Sequence, residues 1–321
     1  MRGSIGEYLD KTFSGFSESE IPAGVTVIKG KVRDIFDLGD ELLIVTTDRI
    51  SAFDRVLATI PCKGEVLNTL SVYWFGKTDD IVPNHIAKVV SPRAVAVKKC
   101  EVLPVEVVVR GYLTGSAWRD YEAGRAVSGI DLPAGMRFNQ AFSKPLLTPS
   151  TKAEKGVHDE PISSEEIVAR GLVDQDLWKR VEDTARALFT RGSELAAERG
   201  LILVDTKYEF GLLNGELILV DEVHTPDSSR YWFRDAYEEL FAAGEKQRKI
   251  DKEYLRQWLM EEKGFMGNGE IPHIPDEIRV EVARRYIQAY ELITGSEFEA
   301  ESGDVDSEKQ AVLSYIGKAQ G

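Results

Sequence analysis

Cysteine is almost absent: Cys62 and Cys100 are the only two in 321 residues. That is too few for a disulfide framework or a cysteine-rich zinc site, and a reducing cytoplasm is the expected setting. The four histidines, His85, His158, His224 and His273, show no short metal spacing, which argues against a histidine zinc centre. Basic residues are in deficit, 40 Lys and Arg against 54 Asp and Glu, for a formal charge of -14. The average field therefore repels polyanions and argues against a general nucleic-acid binder, so any phosphate site must be local. No run approaches the roughly 20 apolar residues of a membrane helix, and Met1 to Glu20 holds no continuous hydrophobic segment. Neither a membrane span nor a signal peptide is expected. The P-loop, the G-x-S-x-G elbow, and the kinase runs H-R-D-x-x-x-x-N and D-F-G are all missing. What remains, 43% hydrophobic and 29% charged, suits a globular chain large enough for two packed lobes.

From Gly24 to Asp48, short β-rich runs are broken by turn residues, which predicts an antiparallel N-terminal sheet. Leu67, Leu70 and Trp74 then fall at helical spacing, and VEVVVRGYL at 105–113 returns to strand chemistry with little alternation, as in a strand buried on both faces. Residues 124–162 carry Gly, Pro and polar groups without periodicity and read as a long irregular segment. Ser163 and Glu166 form a capping box. A helix from about Asp174 to Arg199 buries Leu177, Val181, Leu188 and Leu195 before Gly200 ends it. A hairpin follows, LILVDTKYEFG and ELILVDE around Asn214-Gly215. The remainder is helical at about 251–263 and 276–294, with a polar tail after Ser296.

Several segments hold chemistry. Lys31 and Arg33 flank Val32 after Gly30, a pattern that suits either a polyphosphate or a solvated strand edge. Arg110 leaves a strand into Gly111, with Thr114, Gly115 and Ser116 beyond, an arrangement able to hold an anion or simply to turn. Asp205, Lys207 and Glu209 alternate, which puts all three on one strand face opposite Ile202, Val204, Tyr208 and Phe210. Whether Asp221 joins them depends on the turn. A two-residue turn opposes Val220 to Glu209 and sends Asp221 to the other face. A three-residue loop ending in a left-handed Gly215 opposes Asp221 to Lys207 and lets Glu209 and Asp221 share a face. We expect the second register or an equivalent bulge, because two carboxylates on one face suit Mg²⁺, which completes its shell with phosphate and water. STKAEKGVHDE adds Lys152, Lys155, His158, Asp159 and Glu160 in a mixed-charge loop.

Taken together, GKVRDIFD, TDRISAFD, VVVRGYLTGSAW, STKAEKGVHDE, LVDTKYEFG, VDEVHTPDSSRYW and DKEYLRQWL resemble the phosphoribosylaminoimidazole-succinocarboxamide synthase family in order and approximate spacing. The resemblance runs from about residue 14 to about residue 295, and the runs at 110–116 and 205–211 are close to family signatures. It implies an α+β fold: an N-terminal antiparallel lobe over residues 1–104, reminiscent of protein kinases, and a larger α+β lobe over 105–321, with ATP in the cleft between them. It further implies that Gly30, Lys31, Val32 and Arg33 cover the ATP phosphates. Adenine would lie near Val102, with Glu106 close by and Lys152 joining the nucleotide site. Glu209 and Asp221 would hold Mg²⁺. The carboxylated aminoimidazole ribonucleotide (CAIR) would meet Arg110, Ser116, Lys207, Arg230 and Arg256, with Asp159 nearby, since planar Arg forks suit its phosphate and carboxylate. Lys207, Glu209 and Asp221 are the implied catalytic set. Ser51 and Asp54 match a family motif without an assigned role. The implied reaction joins L-aspartate to CAIR through an acyl phosphate made from ATP, in the cytoplasm.

Overall fold

The structure, a computed structural model, describes residues 5–152, 160–250, 253–301 and 305–320. Contacts divide the chain into two compact units. One comprises Met1–Tyr73, His85–Lys99 and Asp251–Gly321, the other Trp74–Asn84 and Cys100–Ile250. Residues 74–84 thus group with 100–250, and residues 251–321 with 1–73 and 85–99. The mixed composition and antiparallel sheets agree with the α+β class expected.

In the first unit, β1 (Thr26–Lys29), β2 (Arg33–Asp37) and β3 (Glu41–Thr46) form a meander, and β4 (Arg49–Ala52) and β5 (Arg55–Thr59) a separate hairpin. After α1 (Lys63–Thr78), β6 (Ile86–Ser91) and β7 (Ala94–Lys98) complete a five-stranded sheet in the order β1-β2-β3-β7-β6. Alternation sends Phe36, Leu43, Val45, Ala94 and Ala96 to one face. Phe13 and Phe16 cover them, Phe16 meeting Phe36 edge to face at 5.2 Å. Asp48 is fully buried and satisfied by the Phe13 N–H at 2.7 Å, the Gly64 N–H at 2.9 Å and Arg93 Nη1 at 2.6 Å. A buried charge persists only when paired in this way.

The second unit is built on β8 (Glu101–Tyr112) and a second long strand. Between them lie α2 (Gly115–Glu122), β9 (Ala141–Leu147), β10 (Ser150–Thr151), α3 (Ser164–Ala169) and α4 (Gln175–Glu198). The second long strand, β11 (Leu201–Leu213), turns into β12 (Glu216–Val220). β13 (Ser229–Phe233), α5 (Tyr237–Ala243) and β14 (Lys249–Ile250) follow. The sheet runs β10-β8-β11-β13-β14, with β9 also on β8 and β12 also on β11. α4 packs on β11 and buries Val181, Ala185, Leu188 and Phe189, while Leu177 and Leu195 are half-buried. The Ser163–Glu166 capping box forms as expected, with Glu166 N–H to Ser163 Oγ at 3.1 Å and Ser163 N–H to Glu166 Oε2 at 3.2 Å.

Three expectations change. β8 is not buried on both faces: Leu103, Val105, Val107 and Val109 are buried, whereas Glu106, Val108 and Arg110 on the other face are only partly covered. The segment 124–162 is less irregular than its composition suggested, because β9 and β10 pair with β8. The polar tail is a helix. After α6 (Glu253–Lys263) and α7 (Asp276–Thr294), α8 (Val305–Ala319) places Val312 and Ile316 one turn apart in the first unit's core, each fully buried. The tail's polar residues occupy the solvent side of an amphipathic helix, which low mean hydropathy conceals.

Candidate functional site

β11 is the central strand of its sheet, and its register with its neighbours decides which side chains meet. Against β8, Asp205 pairs with Arg110, Lys207 with Val108, and Glu209 with Glu106. Against β13, Asp205 pairs with Arg230. Period-two alternation brings these charged residues to one face, with Asp205 in a row between two arginines. Arg230 Nε donates to Asp205 Oδ1 at 2.8 Å, and its Nη2 donates to Oδ2. Arg110 Nη1 donates to the same Oδ2 at 3.2 Å, its Nε to Thr148 Oγ1 at 2.9 Å, and its Nη2 to Ser116 Oγ at 3.1 Å. Burial, then the repulsion of Arg230, hold the Arg110 guanidinium below its ordinary pKa despite the pull of Asp205. Two guanidiniums share one carboxylate, which leaves the row short of negative charge. The N-terminus of α2 adjoins it at Gly115, whose φ of +62° suits glycine; a Cβ there would stand 2.2 Å from Arg230 Nη1.

Two residues further along the same face, Lys207 Nζ donates to Glu209 Oε1 at 2.6 Å and to Glu106 Oε1 at 2.7 Å. Lys152 Nζ donates to the other oxygen of Glu209. Burial alone would push the Glu209 carboxyl up, but Lys207 and Lys152 outweigh it and hold the group down at about 2. Burial would likewise lower Lys207, yet Glu209 and Glu106 raise it well above an ordinary lysine. Lys207 is therefore a fixed cation and unsuited to act as a base near neutral pH.

The hairpin corrects the expected register. Leu213 pairs with Glu216 and Glu209 with Val220, so Asn214-Gly215 is a two-residue turn with φ of 52° and 82°, the type I′ geometry that matches strand twist. The three-residue loop is absent. Asp221 nevertheless does not turn away: it leaves the ladder immediately after β12 with φ of 66°, and its Oδ2 lies 3.9 Å from Lys207 Nζ. The left-handed backbone of Asp221, rather than a bulged turn, brings its carboxylate to the side of Lys207.

The first unit holds the other expected residues. Gly30, Lys31 and Val32 link β1 to β2, and Arg33 opens β2. The Gly30 N–H donates to Arg33 O at 2.8 Å, Arg49 donates to the carbonyls of Gly30 and Lys31 at 3.1 and 3.0 Å, and the Thr47 N–H donates to Val32 O at 2.9 Å. Lys31 reaches out to Asp54 at 2.5 Å, both exposed. Ser51 lies in β4, and Arg256 projects from α6 over the Phe53 ring, 5.0 Å from its centroid. Val102, in the second unit, is exposed near the start of β8. Asp159, with Lys155 and His158, lies outside the described residues.

The profile of the SAICAR synthetase family matches residues 26–270. The chain belongs to this family. It is 50% identical over 288 residues to the phosphoribosylaminoimidazole-succinocarboxamide synthase of Legionella pneumophila (strain Lens), spanning 88% of this chain and 91% of that protein. It is 46% identical over 309 residues to that of Bacteroides thetaiotaomicron, spanning 94% and 98%. Among solved structures, the SAICAR synthase from Saccharomyces cerevisiae complexed with SAICAR superposes with a TM-score of 0.77 at 36% identity, covering 89% of this chain and all of that one. A SAICAR synthetase in complex with ADP superposes with a TM-score of 0.66 at 25% identity, covering 86% of this chain.

Among the described residues no group of three or more His, Cys, Asp and Glu is placed to hold a metal ion. A magnesium ion shared with phosphates needs only one or two carboxylates. Glu209 and Asp221 are two carboxylates that could hold such an ion, their oxygens lying 2.6 and 3.9 Å from one ammonium, Lys207 Nζ. One contributor, Thr148, carries no signature motif in the sequence, and the partners of another, Asp205, are not legible there. Thr148 ends an apolar run just before Pro149, a polar residue at a strand exit, and that position was the available signal. Alternation places Asp205 on the polar face, but its arginine partners lie 95 and 25 residues away and only the register joins them.

Proposed function

We propose that this chain is an ATP-dependent, amide-forming ligase that condenses CAIR with L-aspartate to give SAICAR, ADP and phosphate in the cytoplasm. The observation that carries this reading is the juxtaposition on one sheet face of the Arg110–Asp205–Arg230 row and the Lys207–Glu209–Asp221 cluster. The first suits the anionic groups of a ribonucleotide, the second the charge that develops in phosphoryl transfer. The names of the relatives support the same substrates, and the ADP complex of one of them supports nucleotide use. The two cysteines are free, which suits a reducing compartment. No helix among the described residues is long and apolar enough to cross a membrane.

A carboxylate is a poor electrophile, so it must first be activated. Attack of a CAIR carboxylate oxygen on the γ-phosphorus of ATP releases ADP and forms an acyl phosphate. The amine of aspartate then attacks the carbonyl carbon, loses a proton, and expels phosphate to leave the amide. Residues of this chain contribute by positioning and by charge. Arg110 and Arg230, with Ser116, hold the ribonucleotide, Arg256 adds a further guanidinium, and Asp159 lies near it in sequence-based expectation. Lys207, permanently protonated, stabilises negative charge at the reacting carboxylate. Gly30, Lys31, Val32 and Arg33 meet the nucleotide phosphates, Val102 and Glu106 its base, and Lys152 its polyphosphate. Glu209 and Asp221 would hold Mg²⁺, which when bound neutralises phosphate charge. The decisive experiment measures ADP formation from ATP with CAIR, with and without L-aspartate, and identifies the product by mass. Aspartate-dependent formation of SAICAR is expected; its absence would remove the assignment.

A further inference from the structure

The β4–β5 hairpin of the first unit closes on Phe53-Asp54, with Ala52 paired to Arg55 and φ of 52° and 58° at the two turn residues. Turns of this kind are ordinarily built from Asn and Gly, because in the left-handed region a Cβ crowds the following carbonyl. A phenylalanine there is a true outlier, and closing the hairpin makes no use of its ring. Outliers of this sort persist where surrounding structure holds them for a purpose.

The ring is used elsewhere. It meets Phe265, which is buried, edge to face at 5.6 Å and 87°. Gly267, at φ +98°, packs against it so closely that a Cβ there would stand 2.8 Å from the Phe53 Cβ. Arg55, on the strand after the turn, donates to the carbonyls of Gly267 and Gly269 at 3.2 and 2.6 Å. The loop after α6 is thus fastened to the hairpin on both sides of Phe53. Over the ring stands the Arg256 guanidinium, 5.0 Å from the centroid. No carboxylate of the described residues is ion-paired with it. A guanidinium held over an aromatic ring keeps N–H donors for an anion, which a guanidinium locked to a carboxylate does not.

We propose that Phe53 is a positioning residue for Arg256: its ring, imposed by a strained turn, orients the guanidinium so that its N–H edge meets an anionic group of the imidazole ribonucleotide. This rests on the assignment of Arg256 to that substrate. It gives the S-A-F-D run a role that hairpin closure does not require.

The test uses the full-length chain with Phe53→Tyr, Phe53→Leu, Phe53→Asn, Arg256→Ala and the Phe53→Leu, Arg256→Ala double variant. Thermal midpoints and separate KM values for CAIR, ATP and aspartate are measured, with kcat. Phe53→Asn relieves the turn and is expected to keep or raise the midpoint while raising KM for CAIR roughly tenfold, leaving KM for ATP unchanged. Phe53→Leu, which keeps an apolar plug but no π face, should raise the same KM, and Phe53→Tyr should restore it. The double variant should match Arg256→Ala, because the two act as one. Wild-type KM for CAIR in Phe53→Leu and Phe53→Asn, alongside a raised KM in Arg256→Ala, overturns the positioning role but spares the Arg256 assignment. An unchanged KM in Arg256→Ala overturns that assignment and this inference with it. If Phe53→Asn does not fold, Phe53→Leu decides.

Discussion

The Asp221 carboxylate stands 3.9 Å from the Lys207 ammonium although the hairpin register alone would send Asp221 to the opposite face. The link is the backbone of Asp221 itself, at φ of 66°. Asp and Asn tolerate this region better than other side-chain-bearing residues, so conformation and chemistry select the same residue type. Asp221→Asn should therefore keep the fold, with a thermal midpoint near that of the parent, and weaken the Mg²⁺ dependence of turnover by about tenfold or more. Asp221→Val should also lose stability, by roughly 1–3 kcal/mol, because a β-branched side chain is strained there. A wild-type Mg²⁺ titration for Asp221→Asn, read both by rate and by thermal shift with ATP, would reject Asp221 as a ligand.

Lys207 joins three carboxylates and, with Lys152 on Glu209, balances their charge. Lys207→Ala is expected to lower turnover by about a hundredfold, the scale of losing one preorganised electrostatic group, with a smaller change in ATP affinity. It should also reduce stability, by roughly 3 kcal/mol, since partly buried Glu106 and Glu209 lose a shared partner. Steady-state kinetics with direct nucleotide-binding measurements separate the two effects. Turnover equal to the parent's rejects the charge-stabilising role.

How much of this was legible in the sequence follows from the range of the interactions. The N-terminal meander, α4 with its caps, and the Asn214-Gly215 hairpin were readable, because periodicity, capping residues and turn chemistry act within a few residues. The side chosen by Asp221 was not. It depends on one φ angle just beyond a strand, and period-two reasoning ends where the ladder ends. The burial of β8 is hidden for a related reason: the half-exposed face that carries Glu106 and Arg110 is flanked by charged residues of β11, which a single strand's composition does not reveal. Family resemblance named Arg110, Lys207 and Arg230, but the carboxylate that gathers the two arginines, Asp205, emerged only from the register.

The C-terminal helix gives a prediction about stability alone. Ile316 and Val312 on α8 are fully buried against the sheet that carries Phe36 and Leu43. Glu308, on the same helix and buried, accepts from Ser91 Oγ, and burial raises its carboxyl pKa. Ile316→Ala should cost roughly 2–5 kcal/mol, the range for truncating a buried aliphatic side chain. Exposed Lys318→Ala should change stability little. Urea unfolding of both variants checks this. Equal midpoints would mean that α8 is not docked in solution.

His224 supplies a pH dependence with a definite sign. It is fully buried, its Nε2 lies 2.5 Å from Tyr208 Oη, its ring meets Trp74 at 4.7 Å, and its Nδ1 has no partner among the described residues. Burial depresses its pKa to about 3. An unfolded histidine titrates near 6.5, so between those values the unfolded chain holds a proton that the folded chain refuses. The stability contributed by neutral His224 is thus complete above about pH 6.5 and declines as pH falls toward 3, by up to about 1.4 kcal/mol per unit. Glu209, held down at about 2, adds its own loss as pH falls through the ordinary carboxylate range, below the pH 5–6.5 window, and the raised carboxyl of Glu308 contributes equally to parent and variant. His224→Gln should be less stable at pH 7, having lost the ring contacts, yet show a shallower fall between pH 6.5 and 5, with other groups cancelling in the comparison. Unfolding curves at three pH values in that window measure the slopes. Parallel slopes for parent and variant would mean that the native state takes up the proton at His224, and the imidazole would then have to reach solvent or a carboxylate before the chain unfolds.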